Sequence, residues 1–68
     1  MNGRIEGTVV RFDVQSGLGE VAGADGTGYP FHCIEIADGT RTIAAGTTVA
    51  FDVLPKLGRY EAARIAAG

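Results

Sequence analysis

Turn-forming residues interrupt this chain before any apolar run grows long enough to make a helix. Ser16-Gly17, Ala24-Asp25-Gly26-Thr27-Gly28, Asp38-Gly39-Thr40, Ala44-Ala45-Gly46 and Pro55-Lys56-Leu57-Gly58 divide it into short segments. Asp and Gly tolerate the positive φ values of tight turns, and Pro fixes a turn position in advance. What lies between the turns must therefore be mostly strand.

The segments alternate accordingly. Ile5, Gly7 and Val9 alternate with Glu6, Thr8 and Val10 in a first strand running to about Asp13, the period-two pattern of a half-buried strand. Leu18 to Ala22 gives a second strand, with Gly19 and Val21 on one face and Leu18 and Glu20 on the other. Tyr29 to Ile34 gives a third, in which Pro30 cannot donate to a ladder and so belongs at an edge or turned outward. Thr47 to Leu54 is the clearest, with Val49, Phe51 and Val53 inward, and Tyr60 to Ala66 supplies the fifth with Ala63 and Ile65 toward the core. Ile34-Glu35-Ile36 has room for one helical turn. Five short strands with Gly-rich turns and one long connection between the third and fourth predict an all-β, five-stranded antiparallel OB-fold barrel. An SH3-like barrel is the structural rival.

With 68 residues the chain is expected to form a single domain over 1–68, one that buries only about 60% of its unfolded surface. Six basic against eight acidic residues leave a net charge of −2, so the global field does not attract phosphate, and binding to nucleic acid needs a local basic strip. The lone cysteine, Cys33, excludes an internal disulfide and favours a reducing compartment, with the cytoplasm as the expected location. No apolar stretch reaches the ~20 residues of a membrane span, and the start of the chain lacks a signal-peptide run; no membrane partner is expected.

Particular motifs carry a resemblance. Gly7-Thr8-Val9-Val10-Arg11-Phe12-Asp13 is similar to the Gly-x-Val-x-Trp-Phe-Asn of cold-shock domains, and Gly17-Leu18-Gly19-Glu20-Val21 to their Gly-Phe-Gly-Phe-Ile. Phe31-His32, Gly46 ahead of a Val-x-Phe strand, and Ala62-Ala63-x-Ile65 follow in the family's order. The chain thus resembles the cold-shock domain family from Gly7 to Ile65. The resemblance implies a face on which aromatic rings stack single-stranded bases. Here Arg11 occupies the Trp position, Leu18 and Glu20 the first pair of Phe positions, Pro30 and Cys33 the second pair, and Thr40 a later loop Phe. Phe12 and His32 keep their family identities.

Stacking on a ring contributes roughly 1–3 kcal/mol per base, so this substitution pattern implies weak or altered binding of single-stranded RNA or DNA. Arg11, Phe12, Leu18, His32, Arg41, Lys56 and Arg59 are the candidate contacts: Arg11 and His32 against bases, since a guanidinium plane also stacks, and the other cations along phosphates. The plainer reading of the same cations, interspersed as they are with eight acidic residues, is of charges that any soluble domain scatters over its surface. The alternative function is a protein-interaction module on the same barrel, favoured by Leu18, Pro30 and Glu20 where rings are expected; a monomer or weak homodimer fits either.

Other chemistry finds little support. Gly17-x-Gly19-x-x-Ala22 matches a dinucleotide fingerprint in form, but that motif needs a strand leading into a helix. His32 and Cys33 as strand neighbours would point to opposite faces and so could not share a metal or act as nucleophile and base. The carboxylates are scattered over different strands. No enzyme activity, cofactor or metal is expected.

Overall fold

A computed structural model describes residues 4–67. It contains β1 (Ile5–Asp13), β2 (Leu18–Gly23), β3 (Gly28–His32), a 3₁₀ turn (Cys33–Glu35), β4 (Thr48–Lys56) and β5 (Arg59–Ala67). All pair antiparallel in one sheet of order β3-β2-β1-β4-β5. The all-β, five-stranded expectation holds, and the helical turn falls one residue earlier than Ile34-Glu35-Ile36.

Among the described residues no ladder joins the end strands β3 and β5. The sheet is nevertheless strongly coiled. Tyr29 on β3 and Phe51 on β4 lie three strand spacings apart along the sheet, about 14 Å if it were flat, yet their ring centroids are 5.3 Å apart. Behind β3, Ile36 bridges Ile65 of β5, and the Ala37 N–H donates to the Ile65 carbonyl at 2.8 Å. The concave face so formed holds the core: Val9, Val21, Phe31, Val49, Phe51 and Ile65 are almost wholly buried. An apolar groove of about 570 Å³ bordered by Ile5, Tyr29, Pro30, Val53 and Tyr60 brings β3 residues alongside those of the β4–β5 hairpin.

Pro30 sits where its missing donor costs least. The Cys33 N–H donates to Gly17 at 2.7 Å and the Gly23 N–H to Thr27 at 2.8 Å, so in this register odd-numbered residues bond toward β2 and Pro30 faces the free edge. A proline there also blunts the edge against pairing with another chain.

Two bulges break the alternation. On β1, Val9 pairs Val21 and Arg11 pairs Glu20, leaving Val10 as the extra residue. On β5, Ala66 pairs Ala50 and Ala63 pairs Asp52, so Arg64 and Ile65 together face Phe51. Arg64 takes φ 53°, the left-handed region that side chains seldom enter, and Glu35 Oε1 accepts its N–H at 3.3 Å. From the other side the Arg4 guanidinium bonds the carbonyls of Ala50 and Arg64, tying the start of the sheet to this bulge.

Several boundaries differ from the sequence reading. β3 stops at His32, before Ile34, because Cys33 begins the 3₁₀ turn. The turn expected over Pro55–Gly58 shrinks to Leu57-Gly58, with Gly58 at φ 76°, and Lys56 pairs Arg59 directly. In a two-residue hairpin the flanking pair exchanges hydrogen bonds, so Pro55, one rung away, turns its backbone outward. Among the described residues, β1 pairs β4 only as far as Phe51.

Candidate nucleic-acid interface

The β1 bulge decides what the outer face displays. Strict alternation from Val9 would send Arg11 inward and Phe12 outward; the extra Val10 reverses both. Arg11 is exposed and Phe12 is half-buried against the core. Arg11, Glu20 and Pro30 then form one rung across β1, β2 and β3, and Asp13, Leu18 and His32 form the next.

On the first rung Arg11 Nη1 lies 2.6 Å from Glu20 Oε1, with the arginine side chain 74% exposed and the glutamate 27%. The Glu20 carboxylate is held low because Gly28 lacks a side chain: a β-carbon there would collide with Oε2 and sit 3.3 Å from Cδ. Arg11 is the only hydrogen-bonding or ionic partner of this carboxylate among the described residues.

Beneath the face, the rings of Phe12 and Phe31 stack 10° from parallel with centroids 5.9 Å apart. Both are paired with Gly19 on the strand between them. Any larger residue would meet the stack, since a β-carbon at Gly19 would lie 2.6 Å from Phe31 Cζ and 2.8 Å from the Arg11 carbonyl oxygen. The glycine of the Gly-x-Gly motif thus makes room for a ring instead of a phosphate, and Leu18–Gly23 runs on as strand with no helix after it.

The loop between β1 and β2 is fixed by its own side chains. Asp13 Oδ1 accepts the Gln15 N–H at 2.9 Å, Ser16 Oγ accepts the Leu18 N–H at 3.3 Å, and the Gly17 N–H donates to the Asp13 carbonyl at 2.8 Å. Across from it His32 Nδ1 accepts the Ile34 N–H at 3.2 Å, which places the proton of the neutral ring on Nε2. Cys33 Sγ lies 3.7 Å from the same Nδ1. This corrects the expectation that His32 and Cys33 point apart: the strand ends between them. No cluster of three metal-ligating side chains occurs among the described residues.

Arg11, Phe12, Leu18, His32 and Arg59 border one cleft of about 700 Å³, with Asp13, Ser16, Pro30 and Glu61 also on its walls. Arg59 donates through Nε and Nη2 to Glu61 Oε2 at 3.0 and 2.7 Å. Arg41 stands in the exposed 37–47 loop at φ 63°, and Lys56 is exposed on the hairpin; neither lines the cleft. The sequence alone marked Glu20 only as a carboxylate where a ring is expected, and gave Glu61 no part. Each owes its arginine contact to geometry: Glu20 to a bulge-shifted register, Glu61 to its position two residues along the same strand face.

No known family's sequence model matches the chain, and no curated protein matches it.

Proposed function

We propose that this protein binds single-stranded RNA or DNA weakly along the Arg11–His32–Arg59 cleft of an OB-type barrel related to cold-shock domains. The convergence of Arg11, Phe12, Leu18, His32 and Arg59 on one concave surface carries the reading. Arg11 and His32 meet bases, Leu18 and the Phe12 edge supply apolar contact, and Arg59, with Lys56 opposite it on the hairpin, meets phosphate. The Tyr29–Phe51 contact and the Ile36–Ile65 bridge support the barrel. A cytoplasmic location accords with the single cysteine.

Weakness follows from the same geometry. Both cleft arginines already face carboxylates, Glu20 and Glu61, so a strand gains less from them than from free cations. Two phosphate contacts correspond to a slope of about −1.4 in log K against log salt for a single strand. Titration of a labelled thymidine heptamer at low and at physiological salt tests this. Saturable binding that weakens with salt supports the proposal, and none up to high micromolar protein at low salt refutes it.

A second reading, a protein-contact module, is favoured by a separate observation. Leu57 at the hairpin tip is fully exposed, and Tyr60 is 61% exposed beside it. Replacing Leu57 with Ser would then abolish capture of a partner while leaving oligonucleotide binding untouched.

A further inference from the structure

Resting on that binding reading, we infer that the Arg11–Glu20 pair makes guanine the preferred base at this site. A guanidinium only donates hydrogen bonds and an ionised carboxylate only accepts them. With Nη1 and Oε1 2.6 Å apart, the two side chains together offer guanidinium donors next to two carboxylate acceptors. The carboxylate over Gly28 has no other hydrogen-bonding partner among the described residues, and Arg11 is largely exposed, so both retain capacity for a ligand.

Unstacked bases in single strands are read along their Watson–Crick edges. Guanine offers there an acceptor (O6) followed by two donors (N1–H and N2–H₂), the complement of the Arg11–Glu20 pair. Uracil and thymine present acceptor, donor, acceptor, and their last oxygen would face a carboxylate oxygen. Cytosine begins with a donor where Arg11 also donates. Adenine likewise opens with its amino group and then offers a ring nitrogen to a carboxylate that cannot donate.

Glu20, outside the cleft lining, stands on one rung between two residues that belong to it. Arg11 and Pro30, the flanking members of the Glu20 rung, both line the cleft, and Leu18 and His32 occupy the adjacent rung. A base whose edge meets Arg11 and Glu20 has those side chains beside it to limit access of water. Glu20 therefore does more than repel phosphate: it selects.

The test compares thymidine heptamers carrying guanine, inosine, adenine or cytosine at the centre, with free GMP as a further ligand. A good bidentate pair discriminates by about tenfold or more. Guanine should bind about tenfold tighter than adenine or cytosine, inosine should fall between because it lacks the N2 amino group, and Glu20→Gln should level the series without changing the thermal midpoint. GMP that competes with the guanine heptamer shows that the base suffices; a guanine preference without such competition places recognition in the strand. Equal affinity for all heptamers overturns this inference while leaving the binding reading intact, whereas no binding to any of them removes both.

Discussion

Arg11 and Glu20 form a 2.6 Å ion pair between neighbouring strands because β1 carries one residue more than β2 at Val10. Without that bulge the arginine would turn into the core and Phe12 would turn out. One inserted residue thus sets both the charge pair on the surface and the ring stack beneath it.

Arg11→Ala should separate these roles. An exposed ion pair contributes about 0–1 kcal/mol to stability, so the thermal midpoint should move little. Oligonucleotide affinity at low salt should fall by about tenfold, as for loss of one base contact of about 1–3 kcal/mol. Fluorescence anisotropy beside a thermal melt reads both quantities on one preparation.

Two Gly→Ala changes on adjacent strands should behave oppositely. At Gly19 the new methyl meets the Phe31 ring and the Arg11 carbonyl, and overpacking of this kind costs about 1–3 kcal/mol. For a domain of this size each kcal/mol corresponds to roughly 4–8 °C in midpoint. Gly19→Ala should therefore melt well below the parent.

At Gly28 the only neighbour within reach is the flexible Glu20 side chain, which can swing aside. Gly28→Ala should keep the midpoint or raise it, because alanine restricts the unfolded chain. Guanine selectivity should nevertheless drop as the carboxylate leaves its place. Melting curves with the heptamer series check both.

Acid should loosen two turns. Asp25 has its carboxyl held below the ordinary 3.8, chiefly by the Thr27 backbone N–H, which donates to Oδ1 at 2.9 Å. Asp38 is lowered likewise by the Thr40 N–H, at 3.0 Å. A carboxyl whose folded pKa is depressed contributes stability that is present above the unfolded pKa and lost as pH falls through the folded one. Carbon-detected NMR titration should give midpoints below 3.8 for both, and Thr27→Pro, which removes the donor, should return Asp25 toward that value.

Much of the fold was legible in the sequence because turn chemistry and alternation are local signals. The opposite faces of Leu18/Glu20 and Gly19/Val21, the inward Val49, Phe51 and Ile65, and Pro30 on an edge strand all followed from period two and the missing proline donor. The bulges were not legible, since an extra residue shows only against its partner strand; the Val9-Val10 doublet is a faint mark of the first, and nothing in Ala63-Arg64-Ile65 announces the second. The end of β3 at His32 was missed because Cys33 and Ile34 continue an apolar run. Lys56 was placed in a turn because Pro55 suggests one, although Pro55 pairs Tyr60 and Lys56 pairs Arg59 within the ladder.

The candidate site divides the same way. Which residue types occupy the outer face could be read by resemblance, but their pairing could not: Arg11 with Glu20 depends on register across strands, and Arg59 with Glu61 on side-chain geometry. The cleft itself depends on how far the sheet coils. Arg41 and Lys56 were chosen for charge alone; neither lines it, and Lys56 adjoins it only through its pairing with Arg59.

The most direct measurement is an amide chemical-shift titration of the labelled protein with the guanine-centred heptamer at low salt. The account predicts that Arg11, Leu18, Gly19, His32 and Arg59 shift together with one dissociation constant, and that the shifts retreat when salt is raised. Amides that stay unmoved across the cleft, or shifts confined to Leu57 and its neighbours at the hairpin tip, would contradict it.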